Sequence, residues 1–277
     1  MTSLVLSREG VFPIISNSLN STGFRYSGTI QGEGRLAGTP SIFVRLQGCN
    51  LRCIWRDADG NIVPCDTRHA SFDTEGQKTM EVTDIVKIIE QNRGNINHVV
   101  ITGGEPMIQA RGLIELLDRL KVMNIHTTIE TNGTIFNEQC VKLTSLMSIS
   151  PKLPSSIPSK DKLLAYGYIT DFQTVKHAKM IADIRPLQQI IDTVRKYKNA
   201  LQLKFVVASP CDADDIKSHF VDRLRDIRVD DIFVMPMATT AEAMRRNGLF
   251  AMEMAIENNW HYSPRLHIDM FGNRESV

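Results

Sequence analysis

Between residues 41 and 268 short apolar runs alternate with longer amphipathic stretches, and this alternation most constrains the fold. SIFVRLQG (41–48), HVVITGG (98–104), HTTIETNG (126–133), LMSISPK (146–152), ALQLKFVVAS (200–209) and DIFVMP (231–236) read as strands. PRLHID (264–269) reads as a final short one. Helical periodicity fills the gaps at 82–94, 108–124, 137–145, 186–198, 212–226 and 239–259. In the first of these, Thr83 or Asp84 is the expected cap and Gly94 the stop. Strands that alternate with helices of this length form βαβ units on a parallel sheet. The expectation is a single α/β domain over 1–277, an open or closed barrel. Residues 1–23 form an N-terminal extension with some strand character, and 153–173 a long Pro/Ser/Lys loop.

The chemistry-bearing residues all follow strands, at the ends where barrel active sites gather. Cys49 follows the first strand, and Cys53 and Cys65 complete the run GCNLRCIWRDADGNIVPCDT. Three thiolates hold three irons of a four-iron cluster and leave the fourth open to a ligand that is not protein. Spacing alone leaves other readings open. His69 would complete a Cys3His zinc knuckle, and buried cysteines also serve as small hydrophobes. Cys140 in a helical pattern and Cys211 in a polar turn read as no ligands.

Composition excludes several classes. With 277 residues, 42% hydrophobic and 23% charged, the chain can bury a sizeable core. A net charge of +1 gives no basic excess for nucleic acid. No apolar stretch reaches the about 18 residues of a membrane helix. The first residues lack the basic and apolar regions of a signal peptide. Five cysteines, an odd number, argue against a disulfide framework and fit a reducing cytoplasm.

The second strong element is ITGGEP (101–106). Its glycines let backbone approach a ligand, and Glu105 is a natural partner for an ammonium group; the alternative is an ordinary βα turn. Together, the three-cysteine loop and this turn resemble the radical S-adenosylmethionine (SAM) superfamily. That resemblance implies a partial (open) parallel β/α barrel, with a 4Fe–4S cluster on Cys49, Cys53 and Cys65. It implies SAM contacts from Trp55, Asp66, Gly103, Gly104 and Glu105, then Glu130 and Asn132 of ETNG. Ser150, Pro151 and Lys152 of SPK, with Pro236 and Met237, complete that set.

TIQGEG (29–34), FVRLQGCNLRC (43–53) and CDT (65–67) narrow the resemblance to the 7-carboxy-7-deazaguanine synthase family, over about 24–268. It implies a pterin substrate held by Ile30, Gln31, Gly32, Glu33, Arg45, Thr102 and His267, and Mg2+ on Thr67. The chemistry agrees. Glu33 can accept two N–H bonds from a guanidine-like ring edge, and Arg45, alone in an apolar strand, can clamp a carboxylate. The implied reaction is reductive cleavage of SAM, then hydrogen abstraction from C6 of 6-carboxy-5,6,7,8-tetrahydropterin. Ring contraction and loss of ammonia then give 7-carboxy-7-deazaguanine. The resemblance further implies a homodimer, an electron donor such as flavodoxin or ferredoxin, and a cytoplasmic setting, with no nucleic acid or membrane partner.

The sequence departs from the family pattern in one place. Nine residues, 56–64, stand as an insertion before Cys65, and RDADGN reads as a hairpin-like turn that loops out without moving its ends. The competing functions are another radical SAM enzyme, such as a glycyl-radical activase, and a zinc-binding interaction protein. The QGEG segment and Arg45 argue against the former.

Overall fold

The computed structural model describes residues 2–15, 21–57, 60–71, 73–165, 171–272 and 274–277. Parts of the expected N-terminal extension, hairpin tip and 153–173 loop (16–20, 58–59 and 166–170) lie outside the described residues. The strands, in chain order, are β1 (Ser3–Phe12), β2 (Thr29–Ile30), β3 (Pro40–Leu46), β4 (Ile54–Arg56), β5 (Ile62–Pro64) and β6 (Lys78–Glu81). They continue as β7 (His98–Gly103), β8 (His126–Thr131), β9 (Leu146–Ile149), β10 (Ala200–Val207), β11 (Ile232–Pro236) and β12 (His261–Tyr262).

The main sheet runs β12-β11-β10-β9-β8-β7-β3-β1-β6. From β3 through β12 every neighbour pair is parallel. Among the described residues no pairing joins β12 to β6, so the barrel is open. The expected extension enters this sheet. β1 lies antiparallel on β3, with Leu6 opposite Leu46, and β6 lies antiparallel on β1. Leu4 and Leu6 are buried in the main core.

The helices cover the sheet as their apolar spacing requires. Leu113, Leu116, Leu117 and Leu120 of the helix Ala110–Val122 share one face and are fully buried. Truncating any of them to alanine would cost about 2–5 kcal/mol. The helix Val82–Asn92 starts two or three residues earlier than the capping pattern suggests, with Glu81 at its N-cap and Arg93 at its C-cap. β6 runs directly into it, so Thr83 and Asp84 are already helical. PRLHID is corrected from strand to helix: Ser263 and Pro264 end the extended segment, and Leu266–Phe271 turn helical with Ile268 inward. Such a short alternation fits both periods. The 212–226 stretch passes from α-helix (Asp212–Ile216) into a π-helical turn (Lys217–Val221).

The 153–173 segment is more than a loop. It holds a 3₁₀ turn (Pro154–Ser156) and the helix Lys160–Ala165, and leads to a helix at Asp171–Ala182. None of these was legible in the sequence. No helix of the described residues is long and apolar enough to cross a membrane.

Candidate active site

The parallel strands end on one side, and there the following loops surround a cavity of about 250 Å³. β3 delivers Gly48, whose positive φ of 96° turns the chain into Cys49. β4 and β5 then form the expected hairpin, pairing Trp55 with Val63 and Arg56 with Ile62. At its base Cys65 N donates to Cys53 O at 3.1 Å, so the two cysteines meet despite the intervening residues. All three sulfurs' residues line the cavity, with Trp55 buried against Leu51, Cys53 and Met237.

The GGEP turn is built around this loop. A Cβ on Gly104 would stand 2.2 Å from Gly48 O, and one on Gly103 would stand 2.2 Å from Leu46 O. The close approach that demands these glycines is therefore backbone to backbone. Glu105 N donates to Gly48 O at 2.7 Å. The Glu105 carboxylate is fully buried and accepts from Met107 N (3.0 Å), Thr131 Oγ1 (2.7 Å) and Asn132 N (2.7 Å). Burial raises its pKa despite these bonds. It ties the GGEP and ETNG turns together beneath the cavity. Asn132 in turn donates to Asn50 of the cysteine loop at 2.9 Å.

The same cavity is lined by a charge network, buried at Glu33, Lys204 and Arg265 and open to solvent at Asp66. Glu33 pairs with Lys204 and accepts from Arg265 Nε at 3.0 Å. Arg265 Nη2 donates to Asp66 at 2.6 Å, and Nη1 to Ala238 O at 2.6 Å. Burial would raise the Glu33 and Asp66 carboxyls. The neighbouring cations overcome it and hold both below the ordinary range, Lys204 and Arg265 for Glu33 and Arg265 for Asp66. Gln31 joins this network to ETNG by donating to Glu130 at 3.2 Å. Gly32 packs where a Cβ would meet His267 Nδ1 at 2.3 Å. Lys152, which also lines the cavity, donates to Ser150 at 2.6 Å.

Arg45 pairs with Glu9 of β1 and lies 5.2 Å over the Phe12 ring. Glu9 also lies 2.8 Å from His69 Nε2 and accepts from Ser276 N at 2.8 Å. Burial works against its ionisation, but the His69 hydrogen bond and the Arg45 charge hold Glu9 down at about 2.

Of the site residues expected from sequence, Glu105, Pro151 and Pro236 stand behind the lining. The others face the cavity, from Ile30 and Thr102 to Met237 and Thr67. Sequence reasoning missed Lys204, Arg265 and Glu9. Lys204 carried a usable signal, because it is the one charged residue in the apolar-rich run ALQLKFVV, as Arg45 is in FVRL. Arg265 lay beside the singled-out His267, and nothing in SREGVF marked Glu9.

The cysteines fit a cluster. Three thiols share one wall, and burial raises all three, Cys49 to about 12. Metal ligation would supply the charge that draws off their protons. The set does not fit the zinc knuckle, because His69, its fourth ligand, is turned to Glu9 with Nε2 2.8 Å from the carboxylate.

An open parallel barrel whose cavity is rimmed by a three-cysteine loop defines a radical SAM enzyme, and the radical SAM superfamily model matches residues 43–147. A 7-carboxy-7-deazaguanine synthase of Halobacterium salinarum is 36% identical over 256 residues, covering 88% of each chain. One from Rhodopirellula baltica is 35% identical, covering 89% of this chain and 85% of that protein. The crystal structure of QueE from Escherichia coli superposes with a TM-score of 0.57 at 25% identity, covering 91% of this chain and 93% of the other. The chain belongs to the 7-carboxy-7-deazaguanine synthase family.

Proposed function

We propose that this chain converts 6-carboxy-5,6,7,8-tetrahydropterin to 7-carboxy-7-deazaguanine by radical ring contraction with loss of ammonia. The observation that carries the reading is that one cavity is lined both by the three cysteines and by the Glu33–Lys204–Arg265 network. When bound, the 4Fe–4S cluster and SAM supply the radical that takes hydrogen from the substrate. Cys49, Cys53 and Cys65 hold the cluster. Gly103, Gly104, Glu130, Asn132, Trp55, Asp66, Ser150, Lys152 and Met237 form the SAM side, with Glu105, Pro151 and Pro236 backing them.

Glu33 orients the substrate's aminopyrimidine edge. Both its oxygens already carry a cation partner, and each keeps a second lone pair for an N–H. Ile30, Gln31, Gly32 and Thr102 flank that edge. Arg45 and His267 face the substrate's polar groups, Arg45 with its charge partly balanced by Glu9. Thr67 lies 3.4 Å from Cys65 Sγ and offers Mg2+ a hard hydroxyl oxygen beside the cluster. In this reading the protein works as a cytoplasmic homodimer fed by flavodoxin or ferredoxin. The 56–64 hairpin is an insertion that leaves the cluster geometry unchanged.

The test is mass spectrometry of an anaerobic reaction of reconstituted protein, SAM, reductant, Mg2+ and the tetrahydropterin. The expected result is the mass of 7-carboxy-7-deazaguanine. Formation of 5′-deoxyadenosine without that product would reject the substrate, and absence of both would reject the reading.

A further inference from the structure

Cys53 is bracketed by a segment to which no role has been given. Arg52 N donates to His177 Nδ1 at 3.3 Å, on the helix Asp171–Ala182. On the other side, Ile54 O accepts from Lys162 Nζ at 3.0 Å. The same half-buried ammonium donates to Ser155 O (2.8 Å) and Ile157 O (3.0 Å), so all three of its hydrogens go to carbonyls. Because Nδ1 of His177 accepts, its Nε2 carries the hydrogen, which points to Ser156 Oγ at 3.2 Å. His177 is buried, and burial lowers its pKa to about 4, so the ring is neutral and the tautomer fixed. The Cys53 carbonyl itself is taken by Cys65 N. Met180 and Ile181 of the same helix pack against the cluster of Leu51, Cys53 and Trp55.

We propose that His177 and Lys162 are positioning residues for the iron–sulfur cluster, fixing the backbone on either side of Cys53 so that its thiolate is held in place as ligand. A loop ligand is only as well placed as its neighbours' hydrogen bonds allow, and groups that orient ligands without touching the metal typically govern affinity by about 10–100-fold. Hydrogen bonds on both flanks remove the freedom of the loop to swing Cys53 away. The inference rests on the reading of the three cysteines as cluster ligands.

The test uses the full chain with its cluster reconstituted, and the variants His177→Phe, His177→Asn and Lys162→Met. Iron release to an excess of chelator is timed, and hydrogen exchange of the 50–56 peptide is followed in the cluster-free protein. His177→Phe keeps the buried bulk and loses both hydrogen bonds. His177→Asn keeps an acceptor near the Nδ1 position. Iron release about tenfold faster is expected for His177→Phe and Lys162→Met, with His177→Asn near the parent. Exchange at 50–56 should rise in the same two variants while the β7 and β8 peptides stay unchanged. A mere packing role would leave the phenylalanine variant like the parent. Release within twofold of the parent for both His177→Phe and Lys162→Met overturns the proposal. A parent chain that takes up no iron would overturn the cluster reading and this inference with it.

Discussion

Arg265 Nε lies 3.0 Å from the Glu33 carboxylate, joining residues 232 positions apart in the chain inside a wall where both side chains are largely buried. Its other nitrogens serve Asp66 and Ala238 O. Removing Arg265 would leave the buried Glu33 with Lys204 alone, while the half-exposed Asp66 would fall back on water. Arg265→Met is expected to lower stability by about 1.5–3 kcal/mol, through loss of the charge-assisted hydrogen bond to the buried Glu33. Urea unfolding of the cluster-free protein measures this. A midpoint shift worth less than about 1 kcal/mol would show that water or Lys204 takes over the pairing.

Acid should weaken the fold in two steps. His98 is buried with Ser41 Oγ at 2.7 Å and Thr128 Oγ1 at 2.8 Å, and burial lowers its pKa to about 4. Its folded value lies below its unfolded one, so its contribution is complete above about pH 6.5 and drains away toward pH 4. Glu9, held at about 2, contributes above about pH 4.5, and that part is lost on falling through pH 2. The expected outcome is a melting temperature that falls from pH 6.5 downward in the parent. In His98→Gln it should stay flatter between pH 6.5 and 4, and in Glu9→Gln flatter below pH 4.5. Parallel pH curves for parent and both variants would contradict the assignment.

Gly104→Ala tests the backbone contact beneath the cysteine loop. The new Cβ would meet Gly48 O at 2.2 Å and Ala70 O at 2.7 Å, both backbone atoms that cannot swing aside. Gly48 immediately precedes Cys49, so relief of the clash moves that cysteine. Iron content after reconstitution should fall severalfold while far-UV circular dichroism shows a folded chain. Full iron loading would mean that the turn moves away from the loop instead.

The barrel was legible because apolar runs and helical periodicity alternate with little ambiguity from β3 to the helix Ala241–Asn258. The cysteine loop was legible because few chemistries ask for that residue type at that place. The place of Lys204 in an apolar strand marked it, but its role and that of Glu9 were not legible, since a charged residue acquires a role only from partners across the fold: Glu33 is 171 positions from Lys204. The Lys160–Ala165 and Asp171–Ala182 helices were hidden for another reason. Their flanks are rich in Ser, Pro and Tyr, and among the described side chains of the latter the buried face is a narrow one around His177, too little for a periodic signal. PRLHID failed on length, because six residues satisfy a strand and a helix equally.

Thr67 gives the sharpest test of metal dependence. Its hydroxyl lies 3.4 Å from Cys65 Sγ and lines the cavity, yet it is not a thiolate ligand. Thr67→Ala removes one hard oxygen and a weak contact to sulfur. If Mg2+ binds there, the variant should load iron normally and lose turnover by about tenfold or more, through loss of a positioning contact to the substrate carboxylate. Its residual rate should also stop responding to added Mg2+, whereas the parent's rate should rise with it. Thr67→Ser restores the oxygen and should restore the response. Iron content, turnover and the Mg2+ titration separate the possibilities: loss of iron would assign Thr67 to holding Cys65, and an unchanged Mg2+ response would remove the ion from this residue.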